Sequence, residues 1–303
     1  TNTNLKRTYM KNQLIVSLYA ICGLTSCSDN SDDNYEEIPS YPFVEAEFGS
    51  TVDLGNLANY ANQTVPAYII KDNSQGNLIT DKGATLGRVL FYDKNLSSNN
   101  TISCASCHKQ EFAFSDTNVA STGVNGTTGR HSMRLINSRF ASETKFFWNE
   151  RALNLETQTT MPIKDHGEMG FSGENGDLSF DDLITKLSAI GYYKELFKFV
   201  YGTEEITEAK IQSALAQFIR SIQSFDSKYD AGRALATNDG QPFSNFTAQE
   251  NQGKNLFLSP PVFNTNGVRT SGGLGCAGCH RAPEFDIDPN TLNNGIIGTI
   301  AGT

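Results

Sequence analysis

Apolar residues recur at helical spacing along several separated stretches of this 303-residue chain. Across 207–225, Ile211, Ala214, Leu215, Phe218, Ile219 and Ile222 form one stripe, and Thr207 stands where an N-cap belongs. Phe180, Leu183, Ile184 and Leu187 predict a second helix over 178–190. A shorter helix over 84–92 carries Leu86, Val89 and Leu90 on its apolar side, and 153–160 opens another that ends near Pro162. Thr247-Ala248-Gln249-Glu250 is a capping box, which opens a helix to about residue 258.

Polar stretches separate these segments. Residues 93–101 and the Gly-, Thr- and Asn-rich 116–129 read as loops. Residues 28–42 are rich in Ser, Asp, Asn and Glu with almost nothing to bury, which predicts a disordered tether. Residues 44–68 carry no decisive pattern, and 27–79 stands apart as tether and N-terminal extension. A first domain spans 80–225; 226–246, with Gly232, Gly240 and Pro242, leads into a second domain that makes up 226–303. A short repeat supports two related units: Leu86-Gly87-Arg88-Val89-Leu90-Phe91 and Gln252-Gly253-Lys254-Asn255-Leu256-Phe257 both read Gly, basic residue, any residue, Leu, Phe.

Each repeat precedes a cysteine motif. Cys104-Ala105-Ser106-Cys107-His108 and Cys276-Ala277-Gly278-Cys279-His280 both read C-x-x-C-H, the attachment signature of a c-type haem. Two cysteines one helical turn apart can each add to a haem vinyl group, and the adjacent His then supplies a proximal nitrogen to iron. A four-cysteine zinc site would want the pairs close together, usually in sequence as well, and a redox dithiol needs no His after each pair. The reading is therefore an all-α protein of two tandem cytochrome c-like domains, each with one covalent haem: Cys104, Cys107, Cys276 and Cys279 attach them, and His108 and His280 ligate their irons. No disulfide is expected, because these four of the six cysteines hold haem.

The formal net charge of −9 argues against nucleic acid as a partner and suits a basic or patchily basic donor protein. The basic residues Lys6, Arg7 and Lys11, followed by apolar 14–24, predict a secretory signal over 1–26, with Met10 as a plausible start. Leu24-Thr25-Ser26-Cys27 resembles the lipobox of bacterial lipoproteins, in which Cys27 would carry the lipid; in the alternative, Cys22 and Cys27 are ordinary residues of a cleaved leader. The expected location is the bacterial cell envelope, on the periplasmic side or at the surface, with membrane contact only through the lipid at Cys27.

The stretches 86–91, 103–114, 147–152, 158–169 and 275–280, in that order, resemble the bacterial di-haem cytochrome c peroxidases, the broad family that also contains MauG. The resemblance covers about residues 80–300 and implies an N-terminal peroxidatic haem and a C-terminal electron-entry haem. It implies that Glu168 is the distal acid–base carboxylate, that Gln158 orients the substrate, that Pro162 takes the place of a family proline, and that Trp148 lies between the haems. Hydrogen peroxide is the expected substrate, and a small cytochrome c or cupredoxin the expected electron donor; a homodimer is an open assembly state. The residue types suit the chemistry, since a carboxylate can act as base and then as acid, while an amide can hold a small oxidant in line.

Two histidines remain. His131 lies in the region where many relatives keep an iron-capping loop histidine, but the resemblance aligns it with an Asn position that helps bind calcium in relatives, so calcium is an optional further cofactor. His166 neighbours Glu168 and reads as a surface residue; Met161 and Met169 read as packing. Relatives supply the second haem with a later Met or Tyr ligand, whereas 281–303 contains no Met, Tyr, His or Cys, which reads as a C-terminally truncated sequence, with a five-coordinate second haem as the alternative. Two other functions stay open: a MauG-like oxidase of a protein side chain, and a non-enzymatic di-haem electron carrier.

Overall fold

The computed structural model describes residues 40–142 and 145–287. The signal 1–26, Cys27, most of the 28–42 tether and the closing stretch from 288 lie outside the described residues. The described chain is mainly helical. Its strands form three two-stranded antiparallel ribbons: β1 (Thr122–Gly123) with β2 (Gly126–Thr127), β3 (Pro261–Phe263) with β4 (Arg269–Gly272), and β5 (His280–Arg281) with β6 (Asp286–Ile287). Among the described residues, no helix is long and apolar enough to cross a membrane.

The core is built on two crossed helices, α2 (Asp81–Tyr92) and α7 (Glu208–Ser221). Thr80 caps α2 by accepting from the Gly83 N–H, and Thr207 caps α7 as its sequence position predicts. Where the helices cross, a Cβ on Gly87 would lie 2.0 Å from the Ala214 carbonyl oxygen. The Gly of the first repeat is thus a packing device: it lets the two backbones touch. Leu86, Leu90, Ile211, Ala214 and Leu215 are fully buried around this contact.

Helix α7 ends at Ser221, four residues before the predicted end at 225 and just short of Ile222, the last residue of its apolar stripe. Ile222 turns extended, and Asn137 captures the chain beyond it, donating to Ser224 O at 2.9 Å and accepting from Ser224 N at 2.9 Å. A side chain from a distant loop therefore supplies the hydrogen bonds that further helix would have made.

The helix predicted over 178–190 is α5 (Phe180–Ser188), opened by a Ser179–Asp182 capping box. It is followed by α6 (Gly191–Tyr201), an element with no side-chain N-cap that ends at the left-handed Gly202 and buries Tyr192, Tyr193, Leu196 and Phe197. The segment without a decisive pattern also has structure: α1 (Pro42–Phe48) docks on α6, where Glu195 Oε2 accepts from Phe43 N at 3.0 Å and Val44 N at 2.9 Å. The helix expected over 153–160 is α4 (Leu155–Thr160), capped by Asn154.

The C-terminal part holds α8 (Lys228–Arg233) and α9 (Ala248–Leu258), whose Thr247–Glu250 capping box is as the sequence predicts. No residue of α9 is buried among the described residues, and a Cβ on Gly253 would meet nothing within 4 Å. The two repeats therefore predict opposite responses to the same change. Gly87→Ala should destabilise the haem-loaded protein by about 1–3 kcal/mol through overpacking, while Gly253→Ala should be neutral or gain up to ~1 kcal/mol from helix propensity. Denaturant midpoints of the two variants check this.

Candidate functional site

The first cysteine motif opens as α3 (Cys104–Cys107). Ser103 N–H donates to Ser106 Oγ at 3.0 Å, and His108 N–H closes the turn on Cys104 O at 2.9 Å. The turn sets the two thiols one helical turn apart, and all four described cysteines are free. Burial pushes the Cys104 thiol up to about 12, and burial raises Cys107 as well. His108 Nδ1 lies 3.0 Å from the Phe114 carbonyl oxygen. A carbonyl can only accept, so Nδ1 carries the proton and Nε2 keeps its lone pair. Burial holds the ring below the ordinary histidine range and keeps it neutral. Phe91 of the first repeat stands 6.5 Å from the His108 ring, centroid to centroid. Two protonated thiols on one turn and a neutral imidazole whose Nε2 keeps its lone pair fit a covalently attached haem.

A loop following α4 brings Glu168 towards this turn. Asp165 Oδ1 accepts from Gly167 N at 2.8 Å and Glu168 N at 3.0 Å, fixing the loop's bend. The β1–β2 ribbon pins it from outside: Val124 N donates to Glu168 O at 3.0 Å, and a Cβ on Gly123 would lie 2.0 Å from Gly167 O. Cys107 Sγ in turn lies 3.9 Å from Thr122 O on that ribbon. Glu168 is half-buried, and its charge raises the pKa of both Cys104 and Cys107, which places the carboxyl beside the attachment turn. Burial, with help from the Asp165 charge, pushes Glu168 up to about 7, and Arg151 opposes the rise.

Gln158 is half-buried on α4. Trp148 is 45% exposed, and its indole N–H donates to the His131 carbonyl at 2.9 Å. The His131 ring is engaged on both sides, with Ser115 Oγ at 3.1 Å and Asn118 O at 2.8 Å, so in this conformation it is a loop anchor. His166 is exposed and pairs with Asp177 at 2.8 Å, and Met169 is buried. Among the described residues no group of three or more His, Cys, Asp or Glu side chains is placed to hold a metal ion. Asp116 accepts from Lys109, Thr117 and Ser121 and so ties the loop after His108 together.

Two residues that matter electrostatically carry no sequence flag. Arg151 lies in the quoted 147–152 stretch and rests its guanidinium 3.5 Å above the Phe147 ring, facing the Glu168 charge. Asp165 shows itself only through the turn it makes. A short polar residue two positions ahead of a Gly is the one cue the sequence offers for it.

The second motif is built differently. Cys276–Gly278 form a 3-10 turn, and His280 and Cys279 are exposed. Val262 at 49%, Phe263 at 56% and Leu274 at 64% exposure flank it among the described residues. The strand after it is fastened to the N-terminal part: Asp286 accepts from Lys71 Nζ at 2.5 Å and from Ser142 N at 2.7 Å, and Glu284 from Ile70 N at 3.1 Å.

A mainly helical chain with a haem-type attachment turn facing a half-buried carboxylate defines a cytochrome-like class of oxidoreductase fold. Comparison with known proteins places it further: a model of the di-haem cytochrome c peroxidases matches residues 81–238, and the chain belongs to that family. It is 31% identical over 216 residues to the methylamine utilization protein MauG of Methylorubrum extorquens, covering 71% of this chain and 53% of that protein. It is 30% identical over 204 residues to the cytochrome c551 peroxidase of Nitrosomonas europaea, covering 66% of this chain and 52% of that one. Its fold resembles a MauG-like protein associated with microbial copper homeostasis, with a TM-score of 0.57 and 29% identity over 76% of this chain and 62% of that one. The chain spans about half the length of the curated relatives it matches.

The attachment chemistry can be counted. One haem on each motif is the expectation to check: replacing Cys104 and Cys107 together by Ala should lower the pyridine haemochrome of the matured protein by one haem per chain, and the same change at Cys276 and Cys279 should do likewise.

Proposed function

We propose that this chain acts as a di-haem peroxidase that reduces hydrogen peroxide to water. In this reading Cys104, Cys107 and His108 hold the peroxidatic haem, and Cys276, Cys279 and His280 hold a second haem that receives electrons. Two tandem cytochrome c-like domains, 80–225 and 226–303, carry them. The observation that carries the reading is the half-buried Glu168, pushed to about 7 beside the first attachment turn.

A bound haem supplies an iron that takes up peroxide and delivers electrons to it. The protein's own share is proton movement. Glu168 takes a proton from the near oxygen of hydrogen peroxide and returns it to the far oxygen, so that water leaves rather than hydroxide. A group that titrates near neutrality does both halves at little cost, which an ordinary solvated carboxylate does not. Gln158 holds the oxidant or a water in line. In this reading Trp148, whose indole N–H is anchored on His131 O, serves as the bridge between the two haems.

The donor in this proposal is a small c-type cytochrome or cupredoxin, and the acidic chain favours a donor with a basic face. The basic and apolar leader supports export, with lipid attachment at Cys27 holding the protein at the cell envelope.

Steady-state peroxide turnover with a reduced donor tests the assignment. Glu168→Gln should lower kcat/KM by roughly 10²–10⁴-fold, with the haem spectrum unchanged. In the wild type, activity requiring the carboxylate should rise with pH through about 7, and this limb should be absent in Glu168→Gln. Asp165→Asn removes a like charge and should move the limb to lower pH, whereas Arg151→Gln removes an opposite charge and should move it to higher pH. Equal turnover in Glu168→Gln and wild type would refute the assignment.

A further inference from the structure

The C-terminal end of α2 meets a pair of adjacent tyrosines that the proposed reaction leaves unused. Asp93 closes α2 and presents one carboxylate oxygen, Oδ2, to two phenols at once. The Tyr192 hydroxyl donates to it at 2.6 Å and the Tyr193 hydroxyl at 2.7 Å. The other oxygen is fixed by Asn95 N–H at 2.7 Å. The two rings lie 4.7 Å apart, centroid to centroid.

Their surroundings differ in a directional way. Tyr193 is fully buried in the core cluster against which Cys104 and Ala105 of the first haem-attachment turn pack. Tyr192 is 8% exposed, packs edge-on to the half-buried Phe48 at 5.1 Å, and accepts from Asn95 Nδ2 at 3.0 Å. The pair thus leads from the attachment turn outwards. Space-filling alone would be met by two phenylalanines; here two hydroxyls converge on one negative charge. Burial, reinforced by Asp93, raises both phenols, so both stay protonated. Neither can readily give up an electron without shedding its proton, and the one base in contact with both is Asp93.

We propose that Tyr193 and Tyr192 form a one-electron relay out of the first haem, with Asp93 as the shared proton acceptor. The proposal rests on the peroxide reaction proposed above, because the peroxide-oxidised haem is the oxidant. In the first step Tyr193 gives one electron to that haem, its O–H bond breaks, and the proton goes to Asp93 Oδ2. The products are a neutral Tyr193 radical, a neutral Asp93 carboxylic acid and a haem one electron more reduced. In the second step Tyr192 gives an electron to the Tyr193 radical and its proton to Asp93, while Asp93 returns the first proton to the Tyr193 oxygen. The oxidising equivalent then rests on Tyr192, the less deeply buried of the two. Such a relay drains oxidising power when peroxide arrives before reduced donor.

Freeze-quench electron paramagnetic resonance on the matured di-haem protein, mixed with one equivalent of hydrogen peroxide without donor, tests this. Nitroso spin-trapping with peptide mass spectrometry locates the radical. The wild type should give a tyrosyl signal and an adduct on Tyr192. Tyr193→Phe should abolish both. Tyr192→Phe should keep the signal, now on Tyr193, and lose the adduct at 192. Asp93→Asn should slow the signal's appearance by about a hundredfold or more. Should Tyr193→Phe fail to fold, Tyr192→Phe and Asp93→Asn still decide the matter. A wild-type haem spectrum that responds to peroxide with no radical or adduct at either tyrosine would overturn the relay and leave the peroxidase reading standing. A haem spectrum that ignores peroxide would overturn both.

Discussion

The backbone contact between Gly87 and Ala214 is the constraint from which the site's layout follows. Helices that carry ordinary side chains at their crossing keep their axes 8–10 Å apart. Gly87 puts no side chain at the crossing, so α2 and α7 close to backbone contact there, and Gly83 makes room for the Gln217 side chain. That closeness fixes α2 as a ruler. Its Phe91 lies 5.2 Å from Phe218 on α7 and 6.5 Å from His108 on the attachment turn, centroid to centroid. Two residues further on, its closing Asp93 reaches the two tyrosines of α6. The same helix thus sets what packs against the His108 ring and the position of the tyrosine pair.

What the sequence disclosed, and what it withheld, divides by the range of the interaction. Thr207, Thr247 and the apolar stripe of α7 act within their own turns, so their roles can be read from neighbours in the chain. The cysteine motifs are legible for the same reason, because covalent attachment to one ligand demands fixed local spacing. Helix α1 was illegible because its N-terminal N–H groups are satisfied by Glu195, 151 and 152 residues away. The end of α7 was illegible because Asn137 ends it, 87 residues from Ser224. Helix α6 hid behind aromatic residues and an Ile at the N-cap position, which offer no capping signal. Glu168 and Gln158 came from resemblance to relatives, and only the folded chain shows why Glu168 differs from any other loop carboxylate.

That difference turns on balance among three influences. Burial and Asp165 favour the neutral acid, and Arg151 favours the anion. Arg151 has its own restraint, since its guanidinium lies on the Phe147 ring and Phe147 adopts a left-handed backbone conformation with φ of 74°. A strained, cation-bearing turn is a costly way to build a loop, and such strain gathers at working sites. Because burial is the largest of the three influences, added salt would screen the two charges while leaving most of the carboxyl's displacement in place.

The β1–β2 ribbon connects these parts mechanically. It touches the attachment turn through Thr122 and Cys107, and the Glu168 loop through Val124 N and the close approach of Gly123 to Gly167. A residue with a side chain at 123 would push the loop outward, because its Cβ would lie 2.0 Å from a backbone oxygen that has no rotamer to yield. Proton transfer depends on heavy-atom separations near hydrogen-bond length, so a shift of an ångström in that loop would matter more to chemistry than to stability. The ribbon is short, mostly Gly and Thr, and contributes little apolar burial. Its place in the fold is explained by the spacing it maintains between the first cysteine turn and the half-buried Glu168 loop.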